Sequence, residues 1–187
     1  MSKVLLDHVP ARTPGEFVSA APVRPGNERR KIEAGESSAS WPTYRDTAGV
    51  YEIRHPSGWA VEPMDTGMRL AGETMTVTVE VRTTGGMSVD QLARLRVGQL
   101  ADLGAAQVVD VEGTTIDGRP ATAIEELATG DGHVTLRMYV EVDETTYLSV
   151  VATAVPGAFD RATVDAIIGS LRVPTGVEPG VVDQLRP

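Results

Sequence analysis

The chain is predicted to adopt an α+β fold: an antiparallel sheet of about six or seven strands flanked by two helices, with a long irregular N-terminal arm. Three observations predict it. From Val50 onward, apolar and polar residues alternate in successive short runs, the period of half-buried strands. Only two segments in that region change to the 3.6-residue period of an amphipathic helix. Before it, the first 45 residues show neither period and carry Pro10, Pro14, Pro22, Pro25 and Pro42.

The arm comes first, residues 1–45. Its prolines, the Ser37–Ser38–Ser40 patch and the Glu28–Arg29–Arg30–Lys31 cluster leave too little apolar surface to offset the entropy of ordering a backbone. It reads as a linker, or as an arm that orders on a partner. The second reading rests on apolar anchors along a polar thread: Leu5 and Leu6, Phe17 and Val18, and Ile32, beside the cations Arg29 and Arg30. Trp41 and Tyr44 close the arm, and two of the chain's eight aromatics so near the domain entrance suit either a partner contact or a staple onto the domain's own surface.

The domain is read as residues 46–173. Val50–His55 alternates, Pro56–Ser57–Gly58 turns, and Trp59–Glu62 starts a second strand, which together read as a hairpin. Met68–Leu70 and Thr74–Arg82 follow, the latter with Met75, Val77, Val79 and Val81 on one face. Gly85–Gly86 ends the sheet run. Ser88 with Gln91 three residues on is a capping-box start for a helix ending at Gly104, its stripe formed by Val89, Leu92, Ala93, Val97, Leu100 and Leu103. Arg96 falls inside that stripe, either as a ligand-facing cation or as a side chain snorkelling from its edge. Gln107–Glu112, Thr115–Ala121 and Ala121–Leu127 come next, with Asp117–Gly118 a two-residue hairpin signal, then His133–Val142 and Thr146–Ala154. A second helix spans Ala158–Leu171, and residues 174–187 form a tail. No repeat of solenoid or propeller period is present.

Composition narrows the function. Of 17 basic and 26 acidic residues, seven and five lie in the arm, leaving ten bases against 21 acids from position 46 onward. So acidic a domain repels a phosphate backbone, so no nucleic-acid partner is expected. Cysteine is absent, which removes disulfides and thiol chemistry. With no apolar run long enough for a signal peptide or a membrane span, the expected address is the cytoplasm, without membrane insertion.

Chemistry-bearing residues all have plain structural readings beside the functional ones. His8, His55 and His133 are the available bases, and each reads as a solvated arm or loop residue. Neither a Gly-x-Ser-x-Gly elbow, a Walker loop nor a His-Glu-x-x-His pair occurs. Asp110, Glu112, Glu125 and Glu126, or Asp143 with Glu144, are the carboxylates for a divalent cation, against the simpler reading of an acidic solvated surface. Glu125 and Glu126 are neighbours on a strand, point to opposite faces and cannot share one ion. No cofactor, metal or catalytic residue is assigned.

A hairpin opening on Tyr51, Pro56, Gly58 and Trp59, the Asp117–Gly118–Arg119–Pro120–Ala121 turn and the closing Ile167–Ile168–Gly169–Ser170–Leu171 resemble, in order and spacing, the PsbP-like α/β/α sandwich superfamily over about residues 48–173. That superfamily includes an extrinsic photosystem subunit, a Ran-binding import factor, actinobacterial envelope lipoproteins and chaperones of secreted effectors. The resemblance implies a non-enzymatic accessory or adaptor role with the sheet as a binding surface, and it transfers no functional residue. The expected function is therefore a protein-binding accessory subunit of a larger bacterial assembly, docking through the arm. Alternatives are a chaperone or adaptor for a secreted or injection-system effector, in which a homodimer is an option, and a small-ligand or divalent-cation-binding protein.

Overall fold

The computed structural model describes residues 38–174. A turn of 3-10 helix at Ser38–Ser40 leads into two short strands, β1 (Thr43–Arg45) and β2 (Glu52–Arg54), which pair with each other. β3 (Ala60–Met64), β4 (Gly67–Ala71) and β5 (Met75–Thr83) then form a meander. Helix α1 (Val89–Leu103) carries the chain to the far edge of the sheet, where β6 (Ala106–Ile116), β7 (Arg119–Ala128), β8 (Val134–Glu141) and β9 (Thr146–Ala154) run back toward β5. Helix α2 (Arg161–Gly169) closes the fold. The sheet has seven strands in the order β3-β4-β5-β9-β8-β7-β6, every neighbouring pair antiparallel.

Alternation divides the side chains of this sheet between two faces. The inner face presents Met68 and Leu70, Val77 and Val79, Leu148 and Val150, all buried, to α2 and to the β1–β2 segment. Val164, Ile167, Ile168 and Leu171 come from the α2 side, and Val50, Tyr51 and Ile53 from around β2. The outer face has a smaller core, where Ile124 and Tyr139 meet Val89, Leu92 and Ala93 of α1.

The hairpin expected across Pro56–Gly58 does not form. β2 and β3 belong to different sheets. The turn itself is present, with the Trp59 N–H donating to Pro56 O at 3.0 Å, but β2 finds its partners elsewhere. The Glu52 N–H donates to Arg172 O and the Arg172 N–H to Glu52 O, both at 2.9 Å. Period-two alternation reports which face of a strand is buried, not which strand lies beside it.

Local signals fixed α1 closely. Ser88 Oγ accepts from the Gln91 N–H while the Gln91 side chain accepts from the Ser88 N–H, and Gly104 ends the helix in the left-handed region at φ 59°. Leu103, placed on the apolar stripe by its spacing, is 74% exposed because it falls in the last turn, past the covered part of the helix. α2 is shorter than its apolar pattern suggests. Asp160 caps it by accepting from the Thr163 N–H, and Leu171 is buried although it lies beyond the helical turns. Asp117 and Gly118 both take positive φ, 52° and 76°, the geometry of a type I′ turn. β6, read from sequence as two segments, is one strand with a bulge between Val108 and Asp110.

Candidate protein-binding surface

Helix α1 packs on β6, β7 and β8, so it covers only half of the outer face. The other half, over β3, β4, β5 and β9, lies beside the helix, and four strands at about 4.8 Å spacing leave room for an element of helical width, roughly 10 Å. Its middle is threonine-rich. Thr76 pairs with Thr153, which pairs in turn with Thr135, and the Thr135 and Thr153 hydroxyls are 3.4 Å apart. The next row runs Arg69, Thr78, Val151, Arg137 across β4, β5, β9 and β8.

Charge on this face is balanced although the domain is strongly acidic. The outer-face positions of the seven strands hold Arg69, Arg82 and Arg137 against Glu62, Glu80, Glu126 and Glu141, and Arg96 reaches in from α1. Most are already paired: Arg69 with Glu62 at 3.4 Å and Arg82 with Glu80 at 2.8 Å.

The seam between the covered and open halves is a three-membered cluster. Arg96 grips Glu126 in a bidentate fork at 3.0 and 2.8 Å, and Arg137 Nε adds a third bond at 3.1 Å. The Glu126 side chain is 6% exposed. Burial pushes its carboxyl pKa up, but the bonds from Arg96 and Arg137 outweigh burial and hold it below the ordinary glutamate value. The same bonds raise the Arg96 guanidinium against its own desolvation. Arg96 is thus neither a ligand-facing cation nor a snorkelling one; it locks the helix onto the sheet where the open half begins.

The residues picked out from sequence fall in several places. Leu5, Leu6, Phe17, Val18, Arg29, Arg30 and Ile32 lie outside the described residues. Trp41 and Tyr44 pack half-buried against the inner-face core, with the Tyr44 ring centroid 6.1 Å from that of Tyr51. Tyr44 lies on β1, within the segment read as the arm. His55 is not the solvated residue its turn suggested. It is 6% exposed, with its N–H donating to Pro42 O at 3.2 Å and Nδ1 3.0 Å from Pro56 O, because the β1–β2 pairing folds the entrance segment over it. His133 is partly exposed with Nδ1 2.8 Å from Asp131.

The cation candidates are dispersed. Glu125 faces α2 and binds Arg161 at 3.0 Å, while Glu126 faces α1. Among the described residues, no three His, Asp or Glu side chains converge as a metal ion would require. The Asp143 carboxyl, though partly desolvated, is held below its ordinary value by hydrogen bonds from Thr145 and Thr146 that structure its own turn. The residue that sequence reading missed was Glu126 as the partner of Arg96; the available signal was its place on the same strand face as Ile124, under the apolar stripe of α1.

No protein-family model matches the chain, and no curated protein matches it. Among solved structures it is similar to LpqN, described as involved in cell envelope biogenesis of Mycobacterium tuberculosis, at 15% identity and a TM-score of 0.50, over 72% of this chain and 86% of that one. It is also similar to a protein of Bacteroides thetaiotaomicron VPI-5482, at 13% identity and a TM-score of 0.50, covering 73% of this chain. The likeness spans about half, 49%, of the Bacteroides chain. At these identities the likeness is one of fold. No helix among the described residues is long and apolar enough to cross a membrane.

Proposed function

We propose that this protein is a non-enzymatic accessory or adaptor domain of the PsbP-like sandwich type, which holds a partner protein on the open half of its outer sheet face. The part of the arm before the described residues, 1–37, with Leu5, Leu6, Phe17, Val18, Arg29, Arg30 and Ile32 as its anchors, serves as a docking element that orders on the larger assembly. One observation carries the reading. Among the described residues, an acidic domain leaves a charge-balanced, threonine-rich sheet surface uncovered beside α1, and the arginines and glutamates on it are paired with one another, so a partner that covers it meets little uncompensated charge. The order of elements and the fold shared with LpqN support it. The polar rows of Thr76, Thr78, Thr135 and Thr153 suit a hydrated protein surface better than the apolar helix of a chaperone's client.

The test is site-specific photo-crosslinking in the native host. A photoreactive side chain at Thr78 or Thr153 should give one discrete adduct, and the same group at Asp165, on α2, should give none. Absence of an adduct at both outer-face positions sinks the binding-face reading. Repeating the experiment on a chain starting at residue 38 tests the arm: an undiminished adduct means the arm does not dock.

A further inference from the structure

We propose that the edge of β6, unpaired among the described residues, is a second docking site, which takes an extended segment of another protein, alternating basic with β-branched residues, as an added strand. The observation behind it is separate from the open sheet face. The sheet has two edges, β3 and β6. β3 is five residues long and contains Pro63, both features that discourage a further strand. β6 has eleven residues without Pro, Lys or Arg, and Val109 and Val111 on it are 56% and 47% exposed. It is a long edge whose blunting devices are the bulge between Val108 and Asp110 and the carboxylates of Asp110 and Glu112, which leaves the stretch after the bulge open to a strand of complementary charge.

Which backbone groups point outward follows from the turn. A two-residue loop makes the flanking residues, Ile116 and Arg119, a hydrogen-bonded pair. Successive residues alternate, so the N–H and C=O groups of Thr115, Gly113 and Val111 face away from β7. The Val111 N–H agrees, since it donates to its neighbour Asp110 Oδ1 at 2.8 Å and not to β7. That bond and the bulge before it confine a new strand to the regular stretch Val111–Ile116.

The side chains then specify the guest. Val111 and Thr115 lie on the outer face and favour β-branched or apolar neighbours. Glu112 lies on the inner face near Arg161, whose guanidinium is already engaged by Glu125 at 3.0 Å and Asp165 at 2.8 Å. Three carboxylates around one cation leave an acidic surplus, to which Asp110 adds, so the matching guest places Lys or Arg at every second position. A second copy of β6 would bring a further Asp110 and Glu112 to the same edge, and like charges across a strand pair are destabilising.

The experiment is amide hydrogen exchange on the full chain with a synthetic heptapeptide, Thr-Lys-Val-Arg-Val-Lys-Thr, and a counterpart carrying Glu at the three basic positions. The basic peptide should slow exchange at Gly113 and Thr115 at least about tenfold, and the acidic one should not. Thr115→Pro removes one outward donor without touching the β7 ladder and should abolish the slowing while leaving thermal stability unchanged; Glu112→Lys should weaken the basic peptide about tenfold. The proposal is overturned by no slowing, by slowing elsewhere, by equal effects of the two peptides, or by slowing at these amides that rises with protein concentration alone, which would mark a second copy as the occupant. The open half of the outer face, over β3, β4, β5 and β9, and residues 1–37 take no part, so a negative result leaves the proposed function standing.

Discussion

Glu125 and Glu126 are adjacent on β7 and bind opposite helices: Glu125 meets Arg161 of α2 at 3.0 Å, and Glu126 meets Arg96 of α1 at 2.8 Å. One dipeptide thus ties both helices to the sheet. The two ties are unequal. Arg161 and Glu125 are substantially solvated, and such pairs contribute about 0–1 kcal/mol. Glu126 is buried with two arginines on it, so removing it strands two cations at the seam.

Glu126→Ala should therefore destabilise the domain by about 2–3 kcal/mol, against less than about 1 kcal/mol for Glu125→Ala, measured by denaturant unfolding. The cluster also sets a pH dependence. Because the folded carboxyl titrates below the unfolded one, its contribution is complete above the ordinary glutamate value of about 4.3 and is lost as pH falls through the folded value. Glu126→Gln should flatten that part of the acid stability profile; an unchanged slope would remove Glu126 as its source.

Two glycines differ in what surrounds them. A Cβ on Gly67 would overlap the backbone oxygen of Val79 on the neighbouring strand, whereas one on Gly72 would meet the Trp59 ring at 2.6 Å. Backbone in a central ladder cannot yield and a ring can. Gly67→Ala should cost about 2–4 kcal/mol and Gly72→Ala about 1 kcal/mol, the latter with a change in Trp59 fluorescence.

Asp117 has two duties. It holds positive φ in the β6–β7 turn, and its Oδ2 accepts from the Val173 N–H at 2.9 Å, fastening the segment after α2. Asp117→Asn keeps an acceptor and tolerates the backbone, so it should be nearly neutral; Asp117→Ala should cost about 1–2 kcal/mol in thermal unfolding. Equal losses in the two variants would mean that the side-chain acceptor is irrelevant.

The entrance strand bears on any truncation. A chain starting at residue 46 loses β1 and the packing of Trp41 and Tyr44, while one starting at residue 38 keeps all three. Calorimetry should place the shorter chain about 10 °C lower, since burying two aromatic side chains is worth several kcal/mol. Binding studies that remove the arm should use the start at 38, so that lost binding is not mistaken for lost structure.

Much of this fold is readable from local chemistry. Ser88, Gln91 and Gly104 bracket α1 because caps are decided within a few residues, and Asp117–Gly118 names its turn for the same reason. The opposite orientations of Glu125 and Glu126 follow from strand alternation alone. What local pattern lacks is the partner. Nothing near Tyr51 or Ile53 indicates that β2 pairs with β1 and bridges to Arg172 instead of to β3, and His55 is buried only through that pairing. The open half of the outer face is hidden for the same reason: the periodicity of α1 announces an apolar stripe but not which strands lie under it.

The pairing of β5 with β9, in register from Met75↔Ala154 to Thr83↔Thr146, has a consequence for biosynthesis. The central ladder joins strands made far apart in time, so Met68, Leu70, Val77 and Val79 emerge from the ribosome long before β9, which completes the ladder, and α2, which covers part of their face. Such non-local closure is slow and leaves apolar edges open to wrong partners. Nascent chains arrested ahead of Thr146 should be cut readily by protease, and resistance should appear only once Val173 has cleared the exit tunnel; the vulnerable interval is set by translation speed through β6, β7 and β8.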